Sequence, residues 1–301
     1  SDGQIERLCQ KLYDYRLARV SLHKDDKVLT SWNGLMIAAL AQTGWLLNQP
    51  KYLNAAKKAQ SFIAKHLTDT NNRLHLRWRD RETAHDGQLD DYAFYALALL
   101  ALYRATFDVD YLSSAIKVAQ QILSLFSDDI NGGFYRNASD GEQLITRPKE
   151  VYDGAIPSGN SVTALVLCRL AALTGETKWQ QAADRQLRFV CGAISDYPAG
   201  HCVSLLAMMT VLYPGQELIC AAADEGSDEM LLDFLRETPV WDLTVLFKTK
   251  SNQQALAQAA PFTADYPLPE HGCAYYLCRN KACAAPVYSL SELKNLLSMQ
   301  Q

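Results

Sequence analysis

The chain has 301 residues, 49% of them hydrophobic, which is enough for one large domain or two smaller ones. Its formal net charge is −4 and it has no long run of Lys or Arg, so it lacks the basic footprint of a nucleic-acid-binding protein. No apolar stretch approaches the roughly 18–20 residues of a membrane span, and the N-terminus shows no signal-peptide pattern. We therefore expect a cytoplasmic protein that binds neither nucleic acid nor membrane.

After a first predicted helix at residues 4–17, helical pairs repeat along the chain. The second helices of the pairs, at residues 52–63, 111–122 and 179–190, each begin with an aromatic residue and have apolar residues at helical spacing. The first helices, at residues 32–47, 91–105 and 160–173, are apolar around most of their circumference, which indicates burial. Short polar turns join the two, so each unit is predicted to be an antiparallel hairpin of a buried inner helix and a half-exposed outer helix.

Two long connections lead back to inner helices, and the one at residues 127–158 is predicted to form a β-hairpin from GGFYR and QLITR. The other, at residues 68–88, contains the alternating stretch RLHLRWRD. A further helix is predicted at residues 200–212. Beyond it strands and helices alternate, which favours a small α/β layer with some parallel pairing. We divide the chain into a helical part, residues 1–213, and an α/β subdomain, residues 214–301.

Polar and aromatic residues precede every inner helix, and carboxylates occupy equivalent places in the repeat. Equivalent places converge on one rim of a ring of hairpins, so we assign catalytic roles to Asp26, Asp91 and Asp153. Aromatic faces mixed with amides and charges suit a sugar-like ligand. The residues predicted to bind it are Trp32, Asn33, Asp90, Tyr92, Arg147, Lys149, Tyr152, Ser158 and Asn160.

A structural interpretation of the same residues stays open. Asp, Ser and Thr before a helix are ordinary caps, each stabilising it by roughly 0.5–2 kcal/mol. Trp32 and Tyr92 also fit simple packing between helices. The position of these side chains relative to a common cavity separates the two interpretations.

Paired carboxylates permit general acid–base chemistry, as in glycoside hydrolysis. Asp90 and Asp91 are adjacent and leave a helix about 100° apart, so a pair from two repeats, such as Asp26 with Asp91, fits better. Epimerisation instead needs a His beside a substrate carbon. His23, His85 and His201 lie at helix ends, where a lone His is more often structural.

Most of the eight cysteines stand singly in apolar helical context, which predicts buried, reduced thiols. Cys273, Cys278 and Cys283 are clustered, but their spacing is not that of a zinc site. We expect no metal and no cofactor. Redox chemistry by Cys278 and Cys283 is a third, weaker functional hypothesis.

Four segments carry a family resemblance: DDKVLTSWNGLMIAAL, LDDYAF, GGFY with RPKEVYDGAIPSGNS, and YLCRNKAC. Together they resemble the thioredoxin-domain-containing YyaL-like family, which includes spermatogenesis-associated members, over residues 12–297. The resemblance implies an N-terminal thioredoxin-like domain followed by an (α/α)6 toroid similar to those of N-acylglucosamine 2-epimerases and six-hairpin glycosidases. It implies an analogy with carbohydrate enzymes and no particular reaction.

The sequence departs from that pattern in two respects. The thioredoxin-like domain and the first part of the toroid are missing, so the predicted fold is mainly α: an incomplete (α/α)6 toroid of helical hairpins with a small C-terminal α/β subdomain. Exposed inner-helix surface then predicts a homo-oligomer, or a wall supplied by the missing N-terminal region. The catalytic histidines of the epimerases match no position here, which weakens an epimerase assignment.

Two functional hypotheses follow. The first is a carbohydrate-active enzyme, glycosidase- or epimerase-like, with a small sugar-like ligand at the inner-helix rim. The second is a non-catalytic binding or scaffold module that works with a thioredoxin-like domain.

Overall fold

A computed structural model of the chain describes residues 2–20, 23–142, 145–213, 215–224, 226–240, 243–279 and 282–298. The helices of this described part are α1 Asp2–Leu17, α2 Thr30–Leu46, α3 Pro50–His66, α4 Leu89–Thr106, α5 Val109–Phe126, α6 Gly159–Thr174, α7 Thr177–Asp196, α8 Cys202–Leu212, α9 Ser227–Glu237, α10 Gln253–Ala259 and α11 Leu290–Ser298. The strands are β1 Val28–Leu29, β2 His75–Arg79, β3 Glu82–Asp86, β4 Glu217–Ala222, β5 Thr244–Thr249, β6 Cys273–Arg279 and β7 Ala282–Cys283.

Three helical hairpins, α2–α3, α4–α5 and α6–α7, form the main body, as predicted. Local chemistry explains where their turns lie. Pro50 begins α3, where its missing N–H is no loss. Asp108 caps α5 by accepting a hydrogen bond from the Asp110 N–H at 3.0 Å. Gly175 ends α6 with φ 66°, a left-handed conformation that a side chain would strain.

The inner helices lie side by side in the order α2, α4, α6, α8, and the outer helices pack behind them. A close approach between α2 and α4 is possible because Gly34 has no side chain: a Cβ there would lie 2.7 Å from the carbonyl carbon of Phe94. The described helices thus form an arc of hairpins, and the predicted fold class, an incomplete toroid with a small α/β part, is confirmed.

Both ends of the arc expose apolar side chains on an inner helix. On α2 these are Trp32, Met36 and Leu46, and on α8 they include Leu206 and Met209. Their spacing along each helix places them on one face. These are the faces against which further hairpins of a closed ring would pack.

The first long connection forms β2 and β3, which join β1 in a sheet with the order β1–β2–β3, and each neighbouring pair is antiparallel. Strand β1 leads directly into α2, and β3 leads into α4. The β-hairpin predicted in the second connection is wrong for the described residues: those between 127 and 158 form an isolated bridge between Ser127 and Phe134 but no strand. Gln143 and Leu144 of that prediction lie outside the described residues.

The C-terminal sheet has the strand order β5–β4–β6–β7, with β4 and β5 parallel and the other pairs antiparallel. The predicted parallel pairing is therefore confirmed. The sheet contacts the helices through Phe107, whose ring stacks on Phe247 at 5.4 Å, and through the Tyr103 hydroxyl, which donates to the Val245 carbonyl. The division at residues 213 and 214 stays a prediction.

None of the helices in the described part of the chain combines the length and the apolarity that a membrane crossing requires.

Candidate functional site

The N-termini of the inner helices meet at one rim, where carboxylates link each helix to the next. The Ser31 N–H at the start of α2 donates to Asp91 Oδ1 on α4 at 2.9 Å. The Gly159 N–H at the start of α6 donates to the Asp90 carboxylate. The Val203 N–H on α8 donates to Asp153 Oδ2 at 2.8 Å. Each of these three carboxylates accepts a hydrogen bond from a backbone donor at the start of another helix. Of the three carboxylates predicted to converge, Asp91 and Asp153 take part in these contacts and Asp26 does not.

Asp91 is almost fully enclosed, with 2% of its surface exposed. Its second oxygen accepts the Gln88 N–H at 2.8 Å, closing a capping interaction at the start of α4. Burial raises the pKa of Asp91 to about 7, and the hydrogen bonds from Gln88 and Ser31 oppose a larger rise. Both carboxylate oxygens are thus occupied by backbone donors, which is the arrangement of a structural cap.

Asp90 is the more accessible of the adjacent pair and lies in a charged cluster. Burial raises its pKa, the nearby Arg136 opposes that rise, and the negative charge of Glu150 adds to it. Arg136 pairs with one of these acids: its Nη1 is 3.8 Å from Glu150 Oε2, and its Nε donates to Gln88 Oε1 at 2.9 Å. A Cβ on Gly159 would lie 2.4 Å from Asp90 Oδ1, so only glycine admits this carboxylate to the helix start.

Asp153 and Ser158 organise the loop that leads into α6, and Asp153 ties this loop to the start of α8. Asp153 Oδ1 accepts the Ser158 N–H at 2.9 Å, so both of its oxygens bind backbone donors. Ser158 is the N-cap of α6 and accepts the Ser161 N–H at 3.1 Å. Both residues lie on the rim in capping positions.

Asp26 lies away from these helix-start carboxylates, beside strand β2. Its Oδ1 is 2.7 Å from Arg79 Nε, and 54% of its side chain is exposed. The adjacent Asp25 pairs with Lys27, whose hydrogen bond lowers the pKa of Asp25. Nothing links Asp26 with Asp91 as a pair among the contacts of the described residues.

The three predicted aromatic residues have different environments. Tyr92 is fully buried, and its hydroxyl accepts hydrogen bonds from Arg73 Nε and the Leu74 N–H. Trp32 is 61% exposed at the start of α2, and Tyr152 is 56% exposed. Trp32 and Tyr152 therefore remain available to a ligand, whereas Tyr92 packs in the core.

The two predicted asparagines bind backbone groups. Asn33 Nδ2 donates to the Leu29 carbonyl at 2.8 Å. Asn160 is fully buried and holds the second connection against α6: its Oδ1 accepts the Phe134 N–H, and its Nδ2 donates to the carbonyls of Phe134 and Glu150. Asn160 thereby positions the backbone of Glu150 at the rim.

Arg147 and Lys149 bind groups of the second connection. Arg147 Nη2 donates to the Asn137 carbonyl at 2.7 Å, and its guanidinium lies 4.1 Å from the Tyr135 ring centre. Lys149 Nζ lies 2.6 Å from Asp128 Oδ2. That contact, with further hydrogen bonds from Asn131 and Tyr135, holds the pKa of Asp128 well below its usual range.

His201 is buried beside Tyr152, with its Nδ1 2.8 Å from the Val151 carbonyl. His23 and His85 are exposed. Among the described residues no group of His, Cys, Asp and Glu is arranged to hold a metal ion.

Sequence reasoning missed Arg136 and Glu150, which share the rim with Asp90. Both lie in the long second connection, where no helical or strand periodicity marks a face. Their proximity to Asp90 depends on the Asn160 hydrogen bonds that fold this connection back. The residue types alone do not distinguish Arg136 and Glu150 from the other charged residues of the chain.

Two cysteine pairs lie in the C-terminal sheet, and the sequence pointed to only one of them. Cys278 and Cys283, which the redox hypothesis had named together, form a disulfide between β6 and β7. Cys220 is buried in β4 and forms a hydrogen bond with Cys273 of β6. That bond, with others from Ser227 and Tyr275, lowers the pKa of the Cys273 thiol to about 6.

We therefore expect iodoacetamide at neutral pH to modify Cys273 several-fold faster than the exposed Cys9 and Cys202, because the thiolate is the reactive form. Mass spectrometry of the labelled peptides measures these rates. A Cys220→Ala variant removes the stabilising hydrogen bond and should slow the modification of Cys273. Equal rates at Cys273 and Cys9 in the unmodified chain would contradict the assignment.

No family model matches the chain. It is 29% identical over 305 residues to human spermatogenesis-associated protein 20 and 28% identical over 310 residues to the mouse protein of that name. Both alignments cover 96% of this chain but only 38% of the relative, so the chain spans well under half the length of these curated relatives.

Three solved structures are also similar. The chain matches the family 76 α-mannanase of Bacteroides thetaiotaomicron with a TM-score of 0.49 and 15% identity, over 64% of this chain and 55% of that one. It matches cellobiose 2-epimerase from Spirochaeta thermophila with a TM-score of 0.46 and 18% identity, over 55% of this chain and 43% of that one. It matches cellobiose 2-epimerase from Bacillus thermoamylovorans with a TM-score of 0.47 and 13% identity, over 88% of this chain and 68% of that one.

Proposed function

We propose, for a chain that is a homologue of spermatogenesis-associated protein 20 of the YyaL-like family, that its inner-helix rim binds a small sugar-like ligand beside Asp90 and Glu150. The proposed activity is that of a glycosidase- or epimerase-like enzyme on a carbohydrate. The observation that carries the proposal is the charged cluster at the starts of α4 and α6, in which Asp90 has a raised pKa next to Glu150 and Arg136.

The cluster suits general acid–base chemistry because its carboxyl groups have different environments. The partial burial of Asp90 favours its neutral form, which can donate a proton to a leaving oxygen. Glu150 is 61% exposed and has Arg136 beside it, so its carboxyl oxygens are accessible to a ligand. In this assignment Asp90 takes the acid role, and Glu150 with Arg136 binds hydroxyl groups or accepts a proton.

Two exposed aromatic residues extend the same rim. Trp32 follows Ser31, which is bonded to the start of α4, and Tyr152 follows Glu150 by two residues. Aromatic faces pack well against the apolar faces of sugar rings, and their polar edges accept or donate hydrogen bonds. We propose that Trp32 and Tyr152 pack against the sugar ring, and that Tyr92, which is buried, does not contact the ligand.

The remaining predicted residues support the rim instead of contacting the ligand. Asp91 and Asp153 have both oxygens bound to backbone donors, and Asn160 holds the Glu150 backbone. Substitution of any of these three residues is therefore expected to lower the stability of the fold before it affects ligand binding.

The experiment compares Asp90→Asn and Glu150→Gln with the unmodified chain in a thermal-shift screen of monosaccharides, disaccharides and sugar phosphates. A ligand at a concentration of about 100 Kd stabilises a protein by about 2.7 kcal/mol, which raises Tm by several degrees. We expect one class of sugar to raise Tm in the unmodified chain and each variant to lose most of that shift. Glu237→Gln, an exposed acid on α9, is the matched control and should keep it.

Two results would overturn the proposal. One is a screen in which no sugar shifts Tm in the unmodified chain. The other is a shift that both rim variants retain in full.

A specific observation favours the second candidate, a non-catalytic module that works with a thioredoxin-like domain. None of the predicted site residues lines the cavity of about 620 Å3 found at the other end of the inner helices. If this candidate is correct, Asp90→Asn and Glu150→Gln leave cellular function intact, and binding of a partner in pull-down depends on surface helices.

A further inference from the structure

Two free cysteines face each other in the C-terminal sheet. Strands β4 and β6 are antiparallel neighbours, and their register pairs Cys220 with Tyr275 and Ala222 with Cys273. Cys220 and Cys273 are therefore diagonal neighbours whose side chains leave the same face of the sheet. Their thiols form a hydrogen bond with each other. The two sulfurs are thus in contact, although the cysteines are far apart in the sequence.

The two cysteines differ in their access to solvent. Cys220 has no exposed surface, because it lies in the apolar cluster that the sheet forms with leucines of α9 and α11. Cys273 is partly exposed and is the first residue of β6. A reagent in solution therefore reaches the sulfur of Cys273 and not that of Cys220.

The surroundings of the pair favour negative charge on the outer sulfur. The hydrogen bond from Cys220 lowers the pKa of the Cys273 thiol, and burial opposes that fall. Ser227 and Tyr275 are also within hydrogen-bonding reach of this sulfur. Ser227 is the first residue of α9, and the N-terminal end of a helix favours a thiolate. Burial raises the pKa of Tyr275, so its hydroxyl stays protonated at neutral pH.

We propose that Cys220 and Cys273 are a redox-sensitive thiol pair, in which a hydroperoxide oxidises Cys273 and Cys220 then closes a disulfide with it. An exposed sulfur in contact with a buried one suits this division, because the inner thiol is already beside the oxidised product. A hydroperoxide leaves only one oxygen atom on Cys273, so the two sulfurs stay close. The pair uses no residue of the carboxylate rim and is independent of the function proposed there.

The oxidation has two balanced steps. The Cys273 thiolate attacks one peroxide oxygen, the O–O bond breaks, and a sulfenic acid forms on Cys273. The other oxygen takes up a proton and leaves as an alcohol or as water. The Cys220 sulfur then attacks the Cys273 sulfur, the S–O bond breaks, and the hydroxyl leaves as water with the Cys220 proton. Two thiols and one hydroperoxide thus give one disulfide, one alcohol or water, and one further water.

Closing the disulfide requires a small shift at the start of β6. Diagonal neighbours in a sheet are about 7–8 Å apart at Cα, whereas the Cα atoms of a disulfide are usually about 4.4–6.8 Å apart. Gly272 precedes Cys273 and has open space where a Cβ would lie, so this end of the strand has room to move. We therefore expect a strained disulfide that a thiol reduces readily.

The test starts from the chain with its Cys278–Cys283 disulfide intact and the other six cysteines free. Hydrogen peroxide is added in an amount equimolar with the chain, free thiols are blocked with iodoacetamide, and unreduced peptides are analysed by mass spectrometry. We expect a peptide pair joined through Cys220 and Cys273 to form several-fold faster than the exposed Cys9 and Cys202 are oxidised. Dithiothreitol should restore both thiols.

Variants separate the roles of the two sulfurs, with dimedone as a trap for sulfenic acid. In Cys220→Ala no thiol closes the disulfide, so the fraction of oxidised Cys273 that carries dimedone should rise from a minor part to nearly all. In Cys273→Ala the buried Cys220 should stay unoxidised. Cys168→Ala, which removes another buried cysteine from α6, is the matched control and should form the disulfide as the unmodified chain does.

Oxidation of Cys273 without a bond to Cys220, or oxidation of Cys9 and Cys202 as fast as Cys273, overturns the proposal. A bond between Cys220 and Cys273 that is found only in covalent dimers also overturns it. The disulfide is measured in the unmodified chain, so the result decides the question even where a variant does not fold.

Discussion

Replacement of Asn160 by Ala is expected to lower the free energy of unfolding by about 3–5 kcal/mol. The buried side chain bonds both backbone groups of Phe134 and the carbonyl of Glu150, and Gln186 Nε2 donates to its Oδ1 at 3.1 Å. Alanine leaves these groups without partners in an enclosed place, which costs about 1–3 kcal/mol for each buried group. Urea unfolding followed by circular dichroism measures the change.

Asn54→Ala is the matched control, because Asn54 lies on the exposed side of α3. Its effect should stay within about 0.5 kcal/mol. A loss at Asn160 no larger than that at Asn54 would show that the second connection is not held by this side chain. The positioning of Glu150 at the rim would then need another explanation.

The second large effect is a pH dependence of stability that belongs to Asp91. Its pKa is about 7 in the folded chain against 3.8 for an ordinary Asp, so the folded state binds the proton more tightly than the unfolded state. The protonated Asp91 therefore stabilises the folded state at low pH, and this contribution to the free energy of unfolding is lost as the pH rises through 7. It amounts to about 2–3 kcal/mol between about pH 5 and about pH 8.

Asp91→Asn removes the titrating group, so the difference in unfolding free energy between the unmodified chain and the variant should change by that amount across the interval. At every pH the variant should also lack an acceptor for either the Ser31 or the Gln88 N–H. Asp110→Asn, an exposed residue in the first turn of α5, should track the unmodified chain. Parallel profiles for Asp91→Asn and the unmodified chain would show that burial does not perturb Asp91.

The candidate site was predicted from equivalent places in the repeat, and its binding and catalytic roles stay a prediction. The structure places Asp26 beside Arg79 of β2, Asp90 and Asp91 in the first turn of α4, and Asp153 in the loop before α6. Their roles differ because Asp91 and Asp153 bind two backbone donors each, whereas Asp90 keeps a charged neighbourhood with Arg136 and Glu150. An Asp before a helix has the same local sequence in either role.

For the aromatic residues, too, the local sequence does not distinguish a packing role from a ligand-binding role. Trp32 and Tyr92 both occur within the first turn of an inner helix, and packing or ligand contact suited either one. Tyr92 is enclosed by the chain around Leu74 and by the Phe126 ring, which lies 5.2 Å away. Trp32 is at the open end of the arc, where no further hairpin of the described chain covers it.

The sequence by itself determined the helical hairpins and the alternating C-terminal strands and helices. Those features follow from hydrophobic period, caps and turn residues, which act over a few neighbouring positions. Tertiary structure alone decided what the polar side chains do, because their partners are distant along the chain: Ser31 lies 60 residues from Asp91, and Asp153 lies 50 residues from Val203. The antiparallel pairing of β6 with β7 likewise places Cys278 opposite Cys283, where the two form a disulfide.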